Sequence, residues 1–543
     1  MRISFSQLNP IIGDFEHNVE KIIQAIKRAK EEKADLVIFP EMAICGYPAE
    51  DLLHYSGFVE KSEQSLEEIL PHTDKIAVIV GLARRSDNGT CKPLCNSAAV
   101  IANKKILGFQ DKALLPTYDV FDERRHFRPA PTEIVWEIAQ KRVGVTICED
   151  IWAFSGVPKQ ECYPLDPITY FENQKVDLLV NISASPFSVG RIDTRRQVAI
   201  GTAQRVKAPL VLVNQVGGQD GLIFDGSSFA VSAHGELLFQ AKSFAEDFVT
   251  IDLAKLHPLP IISEEEPQEI FSALSLGLHD YFTKQGFQKA CVGLSGGIDS
   301  ALTAAIATRA LGKENVLGVL LPSRYTSPES TEDALYVASN LGIDTIEVSI
   351  EKSFHAIEET LKPIFDGKPV DVTEENIQSR VRGLLLMAIS NKEQYLLLNT
   401  GNKSEIAVGY TTLYGDSCGA ISVIGDLLKT QVYQVSEWIR HEFGWIPERV
   451  IKKEPTAELR PNQKDSDSIP EYHILDSIIE DYVVNMLCID EIVKKRKLAK
   501  KLVEEVIQKI EAAEYKRRQL PFALRVTDKA FACGRKVPIV HKY

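Results

Sequence analysis

The sequence predicts an α/β protein of two domains: a two-sheet α/β sandwich over residues 1–253 and a doubly wound parallel sheet over residues 268–543. Three observations carry this. Short apolar strands alternate with amphipathic helices in both halves. The pattern breaks at 254–267, where three prolines and the run Glu264-Glu265-Glu266 mark a linker. The 543 residues also exceed the ~250–300 at which a single hydrophobic core stops growing.

The elements follow in order. Met1-Arg2-Ile3-Ser4-Phe5 reads as a short alternating strand rather than a signal peptide. Val19, Ile22, Ile23, Ile26 and Ala29 mark one helix face. Asp35–Phe39, Ile76–Val80, Val143–Ile147 and Leu178–Ile182 are apolar enough for buried strands. Asn96–Gln110 and Ser227–Gln240 read as hairpins, the second turning at His234-Gly235. Mixed strands with helices on the outer faces give the sandwich. Beyond the linker come a helix, a strand and a glycine loop, and then the candidate strands Val316–Leu321, Thr345–Val348 and Gln394–Asn399 between helices, the pattern of a parallel sheet. The charged, proline-containing stretch Glu458–Glu471 is expected to be a mobile loop over a nucleotide site, and the chain from Leu475 to be mostly helical.

Composition bounds the function. At 44% apolar and 25% charged residues the chain is ordinary soluble globular protein. No apolar run approaches the ~18 residues that span a membrane, so no membrane partner is expected. The net charge of −13 disfavours a nucleic-acid footprint. Nine cysteines lie scattered without a C-x-x-C pair, which points to reduced thiols in a cytoplasm. Cys91 and Cys95 lack zinc partners at ligand spacing and read as loop or core cysteines.

The most specific segment is Gly293-Leu294-Ser295-Gly296-Gly297-Ile298-Asp299-Ser300, between the apolar run Ala290-Cys291-Val292 and a helical pattern. A strand turning through adjacent glycines into a helix N-terminus gathers backbone N–H groups around an anion. Ser295 and Ser300 add hydroxyls, and Asp299 offers a carboxylate for a metal ion beside phosphates. The P-loop pattern with its lysine is absent, which favours the pyrophosphate end of a nucleotide over γ-phosphoryl transfer. The segment resembles the Ser-Gly-Gly-x-Asp-Ser loop of the N-type ATP pyrophosphatases, whose adenine nucleotide α-hydrolase-like fold agrees with the doubly wound prediction.

Three motifs in the first domain fit together. Phe39-Pro40-Glu41-Met42 ends one strand with a carboxylate, Asp111-Lys112-Ala113-Leu114-Leu115-Pro116 places a lysine after a hairpin, and Ile147-Cys148-Glu149-Asp150-Ile151-Trp152 ends another strand with a cysteine. Loops at the carboxyl ends of strands gather active-site groups on a rigid frame. Each motif alone is weak. In this order and with these flanks they resemble the Glu–Lys–Cys triad of the nitrilase superfamily, which implies an αββα sandwich and amide cleavage. Under that resemblance Cys148 is the nucleophile, Glu41 the general base, and Lys112 the charge that favours thiolate and oxyanion, with help from the Glu149 N–H. It further implies glutamine-binding roles for Tyr118, Ser185 and Arg191.

Other glutaminase types fail on the same residues. An N-terminal-nucleophile enzyme needs Cys at position 2, which is Arg2, and Cys148 lacks the flanking glycines of a triad glutaminase. His234-Gly235-Glu236 satisfies His-x-Glu but lies in a predicted hairpin turn.

Taken together, the chain resembles the bacterial glutamine-dependent NAD synthetases over nearly its full length. Further matching stretches are Glu375–Arg380, Asn399–Glu405, Gly425–Thr430, Pro455–Leu459 and Tyr515–Pro521. The resemblance implies that Thr400, Lys429 and Thr456 join the 293–300 loop in binding ATP, and that Asn376, Glu405 and Lys516 contact deamido-NAD. It implies Mg2+ on Asp299 and Glu405, L-glutamine as nitrogen donor, and a homo-oligomer. Ala420 departs from the usual pattern, so substrate contacts within 417–424 stay unassigned, and Tyr515 departs from it beside Lys516, which leaves the substrate edge there open. The implied reaction adenylates the nicotinate carboxylate of deamido-NAD and amidates it with ammonia released at Cys148. Because free ammonia is protonated and diluted in bulk water, an enclosed route between the two sites is expected. The alternatives are an amidoligase acting on another carboxylate and a non-catalytic nucleotide-binding regulatory protein.

Overall fold

The computed structural model describes residues 1–86, 93–153, 163–531 and 533–541. Cys91, one of the two cysteines weighed as a half zinc site, lies outside them, and Cys95 is buried in a strand. The chain divides into two compact units, Met1–Glu264 and Glu265–Tyr543. No helix among the described residues is long and apolar enough to cross a membrane.

In the first unit two six-stranded sheets carry the fold. One runs, in spatial order, Asp247–Asp252, Arg2–Gln7, Leu36–Ile38, Ala77–Arg85, Leu94–Ala102 and Lys105–Asp111. The other runs Leu237–Gln240, Phe229–Val231, Leu210–Asn214, Leu178–Ser183, Lys141–Ile147 and Val135–Ile138. Strand periodicity assigns the faces. Leu36 and Ile38 point into an inter-sheet core with Val143, Val145, Ile147, Val180 and Ile182, whereas Val37 and Phe39 face outward. On that outer face they meet Val19, Ile22, Ile26 and Ala29 of the helix Phe15–Glu31, with Ile23 packed partly buried beside them. The second sheet is covered likewise by the helices Ile168–Gln174 and Arg191–Val206. This helix–sheet–sheet–helix layering is the predicted αββα sandwich. Both predicted hairpins form, one turning through Asn103 and Lys104 at positive φ and the other through Ser232–Glu236.

The second unit opens with the helix Glu266–Gln285, which begins inside the predicted linker with Pro267 in its first turn. Its sheet is all parallel, ordered Asp344–Glu347, Val316–Leu320, Ala290–Gly293, Leu396–Asn399, Ile421–Ser422. The chain winds outward from Ala290–Gly293 on one side, then returns to place Leu396–Asn399 against its other side. Such a reversal opens a crevice at the carboxyl ends of the two central strands. One face of the sheet packs Cys291, Val319 and Leu397 against Val381 of the helix Val372–Glu393. The C-terminal helices form a separate apolar cluster around Leu475, Ile478, Val503 and Ile510.

Candidate active sites

In the first unit the carboxyl ends of the strands converge on Cys148. The strand Lys141–Ile147 ends there in a turn where Cys148 takes φ +45°, a left-handed conformation that a non-glycine residue holds only under constraint. Asp150 supplies that constraint. Its Oδ2 accepts the Ile147 N–H at 2.9 Å, and its Oδ1 accepts the Ala113 and Leu114 N–H groups at 3.0 and 2.8 Å. One carboxylate thus ties the cysteine turn to the segment that follows Lys112. Asn181 Nδ2 holds the Cys148 carbonyl at 3.3 Å.

Glu41 lies just past the strand Leu36–Ile38 and is fully buried. Its Oε1 accepts from Lys112 Nζ at 2.8 Å and Asn96 Nδ2 at 2.6 Å, and its Oε2 from the Ala184 N–H at 2.8 Å. The turn carrying Glu41 crosses Gly81 so closely that a Cβ there would lie 2.2 Å from the Met42 nitrogen, so only glycine fits. Lys112, also buried, makes a second ion pair with Glu123 at 2.7 Å, and Tyr47 Oη donates to the same Glu123 oxygen at 2.9 Å.

The charges act on one another. Burial alone would push the Lys112 ammonium down, but Glu123 and Glu41 outweigh it and hold the lysine well above its ordinary range. Burial raises the Glu123 carboxyl, with Lys112 working against the rise. Burial and then Glu41 push the Cys148 thiol well above its ordinary value, and Lys112 only partly offsets them. Lys112 thus acts on the thiol in the expected direction, favouring the thiolate, but its positive charge is shared between two carboxylates and is outweighed by burial and Glu41.

The residues expected to bind glutamine surround this cluster to different degrees. Tyr118 Oη lies 3.1 Å from both oxygens of Glu149, which also accepts from Tyr163 Oη at 3.0 Å. Ser185 follows Ala184, whose N–H holds Glu41, and is fixed through its own N–H by Asn214 Oδ1 at 2.8 Å. The Arg191 guanidinium lies 4.5 Å from the Trp152 ring centroid at the start of its helix.

In the second unit a cavity of about 330 Å3 occupies the crevice at the strand reversal. Gly293, Leu294, Ser295, Gly297, Ile298, Asp299 and Ser300 line it, as do Thr400, Glu405, Lys429 and Thr456. Gly296 does not line it and instead shapes the turn. At φ +78° it packs so tightly that a Cβ would meet the Ser330 carbonyl oxygen at 2.1 Å. Ser295 Oγ accepts the Gly297 N–H at 3.2 Å, and Ser300 Oγ donates to the Gly297 carbonyl at 3.0 Å, which fixes the loop before any ligand arrives.

Lys429 pairs with Asp299 and lies 3.5 Å from Glu405. Burial opposes its charge, but the two carboxylates outweigh burial and raise it. Burial raises the Glu405 carboxyl, and Asp299 adds to the rise. Two carboxylates around one cavity are hard oxygen donors of the kind Mg2+ takes together with phosphate oxygens. Asn376 and Lys516 do not line the cavity. Asn376 Oδ1 accepts from Thr412 Oγ1 at 2.7 Å, and Lys516 Nζ donates to the Gly409 and Thr411 carbonyls at 2.8 and 2.7 Å. Both therefore brace the segment that gives Tyr410 and Thr412 to the cavity wall.

Sequence reasoning missed Asn96, Glu123 and Asp150 in the first site, and Arg382, Asp416 and Glu458 on the cavity wall. Asp150 carried a signal, a carboxylate two residues after the candidate nucleophile. Burial brings the Arg382 guanidinium down to about 10, against the pull of Glu458 and Glu351.

Comparison with known proteins places both units. Residues 2–259 match the carbon-nitrogen hydrolase family, and residues 270–520 match NAD synthase. The glutamine-dependent NAD(+) synthetase of Synechocystis sp. is 44% identical across 100% of this chain and 99% of its own. That of Thermotoga maritima is 40% identical with the same coverage. A solved structure of the Acinetobacter baumannii glutamine-dependent NAD+ synthetase in complex with ADP is 38% identical, covers 99% of this chain and 98% of its own, and superposes with a TM-score of 0.78. With a thiol–lysine–glutamate cluster in one unit, a glycine-loop cavity in the other and full-length likeness of this degree, the chain belongs to the glutamine-dependent NAD+ synthetase family.

Proposed function

We propose that the protein amidates deamido-NAD to NAD+, drawing ammonia from glutamine at Cys148 and energy from ATP in the 293–300 cavity. The observation that supports this reading is that Glu41 and Lys112 pair in the buried interior of one unit, while the glycine loop, Asp299, Glu405 and Lys429 line one cavity in the other. In the first unit the Cys148 thiol attacks the glutamine amide carbon while Glu41 takes its proton and passes it to the departing ammonia. Lys112, held between Glu41 and Glu123, sets positive charge beside the tetrahedral oxyanion. Water then hydrolyses the thioester to glutamate. Tyr118, Ser185 and Arg191 are the residues we assign to glutamine.

In the second unit the nicotinate carboxylate attacks the α-phosphorus of ATP and pyrophosphate leaves. The N–H groups and hydroxyls of Ser295–Ser300, with Lys429, Thr400 and Thr456, meet the phosphate charge. Asp299 and Glu405 are the residues that would hold Mg2+, which when bound supplies charge neutralisation beside the pyrophosphate. Ammonia attacks the acyl adenylate, and AMP departs. Asn376 and Lys516 act on deamido-NAD through the Gly409–Thr412 segment, and Glu405 acts from the cavity wall. The reduced thiol required at Cys148 supports a cytoplasmic setting.

The test is pyrophosphate release with ATP and glutamine when deamido-NAD, xanthosine monophosphate or aspartate is the carboxylate. Release with deamido-NAD alone supports the reading; release with either of the others instead rejects it.

A further inference from the structure

The first unit carries a second cluster of chemistry-bearing side chains that the amidation does not use. Asp51 and His54 lie on the 3-10 turn Glu50–His54, and His126 ends the short helix Glu123–His126. One donor atom from each lies within 4.8 Å of the other two. His54 Nε2 and His126 Nδ1 are 3.1 Å apart, and their ring planes meet at 50° with centroids 5.0 Å apart. Two neutral imidazole nitrogens can approach so closely only if they share a proton or a cation. Asp51 Oδ1 faces His54 Nδ1 at 3.7 Å, while Asp51 Oδ2 is taken by Arg125 Nη2 at 2.9 Å. One carboxylate oxygen is thereby engaged by the guanidinium, and the other faces the imidazoles.

We propose that Asp51, His54 and His126 form a binding site for a divalent transition-metal ion of the Zn2+ class, separate from the Mg2+ residues of the second unit. Two imidazoles and one carboxylate are the donor set that such ions prefer, and Mg2+ prefers oxygen alone. Three protein donors leave a coordination position for water. All three residues are accessible to solvent, so an ion can enter without opening the core. On binding, the ring that donates the hydrogen bond between the two imidazoles adopts its other tautomer, its proton moving to its second nitrogen through solvent, so both rings stay neutral and both facing nitrogens turn a lone pair to the metal.

The position of the site gives it a consequence. The helix that ends in His126 begins with Glu123, the second partner of Lys112, and Tyr47, which holds Glu123, lies just ahead of the turn that carries Asp51 and His54. A bound ion clips these two elements together, so it braces the outer support of the lysine from solvent.

The test uses the full chain, stripped of metal with a chelator and kept reduced, titrated with Zn2+ in competition with a chromophoric chelator. The wild type is expected to take up one equivalent at low micromolar or tighter affinity. H54A and H126A, both surface changes, are each expected to weaken that equivalent at least about tenfold while circular dichroism stays unchanged. Loading with Co2+ separates this site from the thiols: nitrogen and oxygen ligation gives d–d bands without sulfur-to-cobalt charge transfer. The proposal is overturned if no Zn2+ binds, if binding survives both H54A and H126A, or if the Co2+ spectrum shows thiolate ligation.

Discussion

Glu123 Oε1 lies 2.7 Å from Lys112 Nζ, so the buried lysine of the first site serves two carboxylates rather than one. Removing the Glu123 charge should leave Lys112 to lean wholly on Glu41, the proposed general base. We expect Glu123→Gln to lower glutamine hydrolysis about 10²-fold, the scale of a small misplacement in a catalytic site. Ammonia-supported NAD+ synthesis should be retained. Steady-state glutamate release by E123Q checks this, and an unchanged kcat would remove Glu123 from the machinery.

Burial and then Glu41 push the Cys148 thiol well above its ordinary value. A raised pKa makes the thiolate scarce at neutral pH, so its fraction grows about tenfold per pH unit well below that pKa. Inactivation by iodoacetamide should therefore climb across pH 6–8 without levelling. A rate that is flat over that range would mean that the thiolate already predominates.

Gly296 makes the turn of the nucleotide loop by passing a carbonyl that any side chain would strike. Gly296→Ala should shift the loop that lines the cavity and cut ATP-dependent pyrophosphate release about 100-fold or more. Glutamate release, which depends on a unit with its own core, should persist. Full pyrophosphate release by G296A would show that the loop tolerates the change.

Asp481 shows where pH acts on stability. Burial raises its carboxyl, but Arg496, Lys495 and Asn485 outweigh burial and hold it at about 2. For a carboxylate depressed in the folded state, stabilisation is present above its ordinary range and is lost as pH falls towards the depressed value. Asp481→Asn should therefore destabilise the second unit at pH 7, and the gap from wild type should narrow as pH drops below about 4. Denaturant melts at stepped pH values read this directly, and a gap that widens in acid contradicts it.

What was legible in the sequence was local. The αββα layering follows from strand alternation, with Leu36 and Ile38 facing one way and Val37 and Phe39 the other. The Ser295–Ser300 loop and the three triad motifs announce themselves because each requirement falls within a few neighbouring residues. What escaped was assembled by the fold. Asn96 comes from the hairpin beside Lys112, and Glu123 comes from a four-residue helix without an amphipathic pattern. Arg382 and Asp416 reach the cavity from segments whose sequence carries no phosphate-binding signature. Lys112 was visible in the sequence, but the second carboxylate that shares its charge was not.

The central claim is the division of labour between the two sites, and Cys148→Ala tests it most directly. NAD+ formation from deamido-NAD and ATP would be measured with glutamine and, separately, with ammonium chloride as the nitrogen source. The account predicts that C148A loses the glutamine-supported reaction and keeps the ammonium-supported one. Loss of both in a folded protein, or survival of glutamine-dependent synthesis, would contradict it.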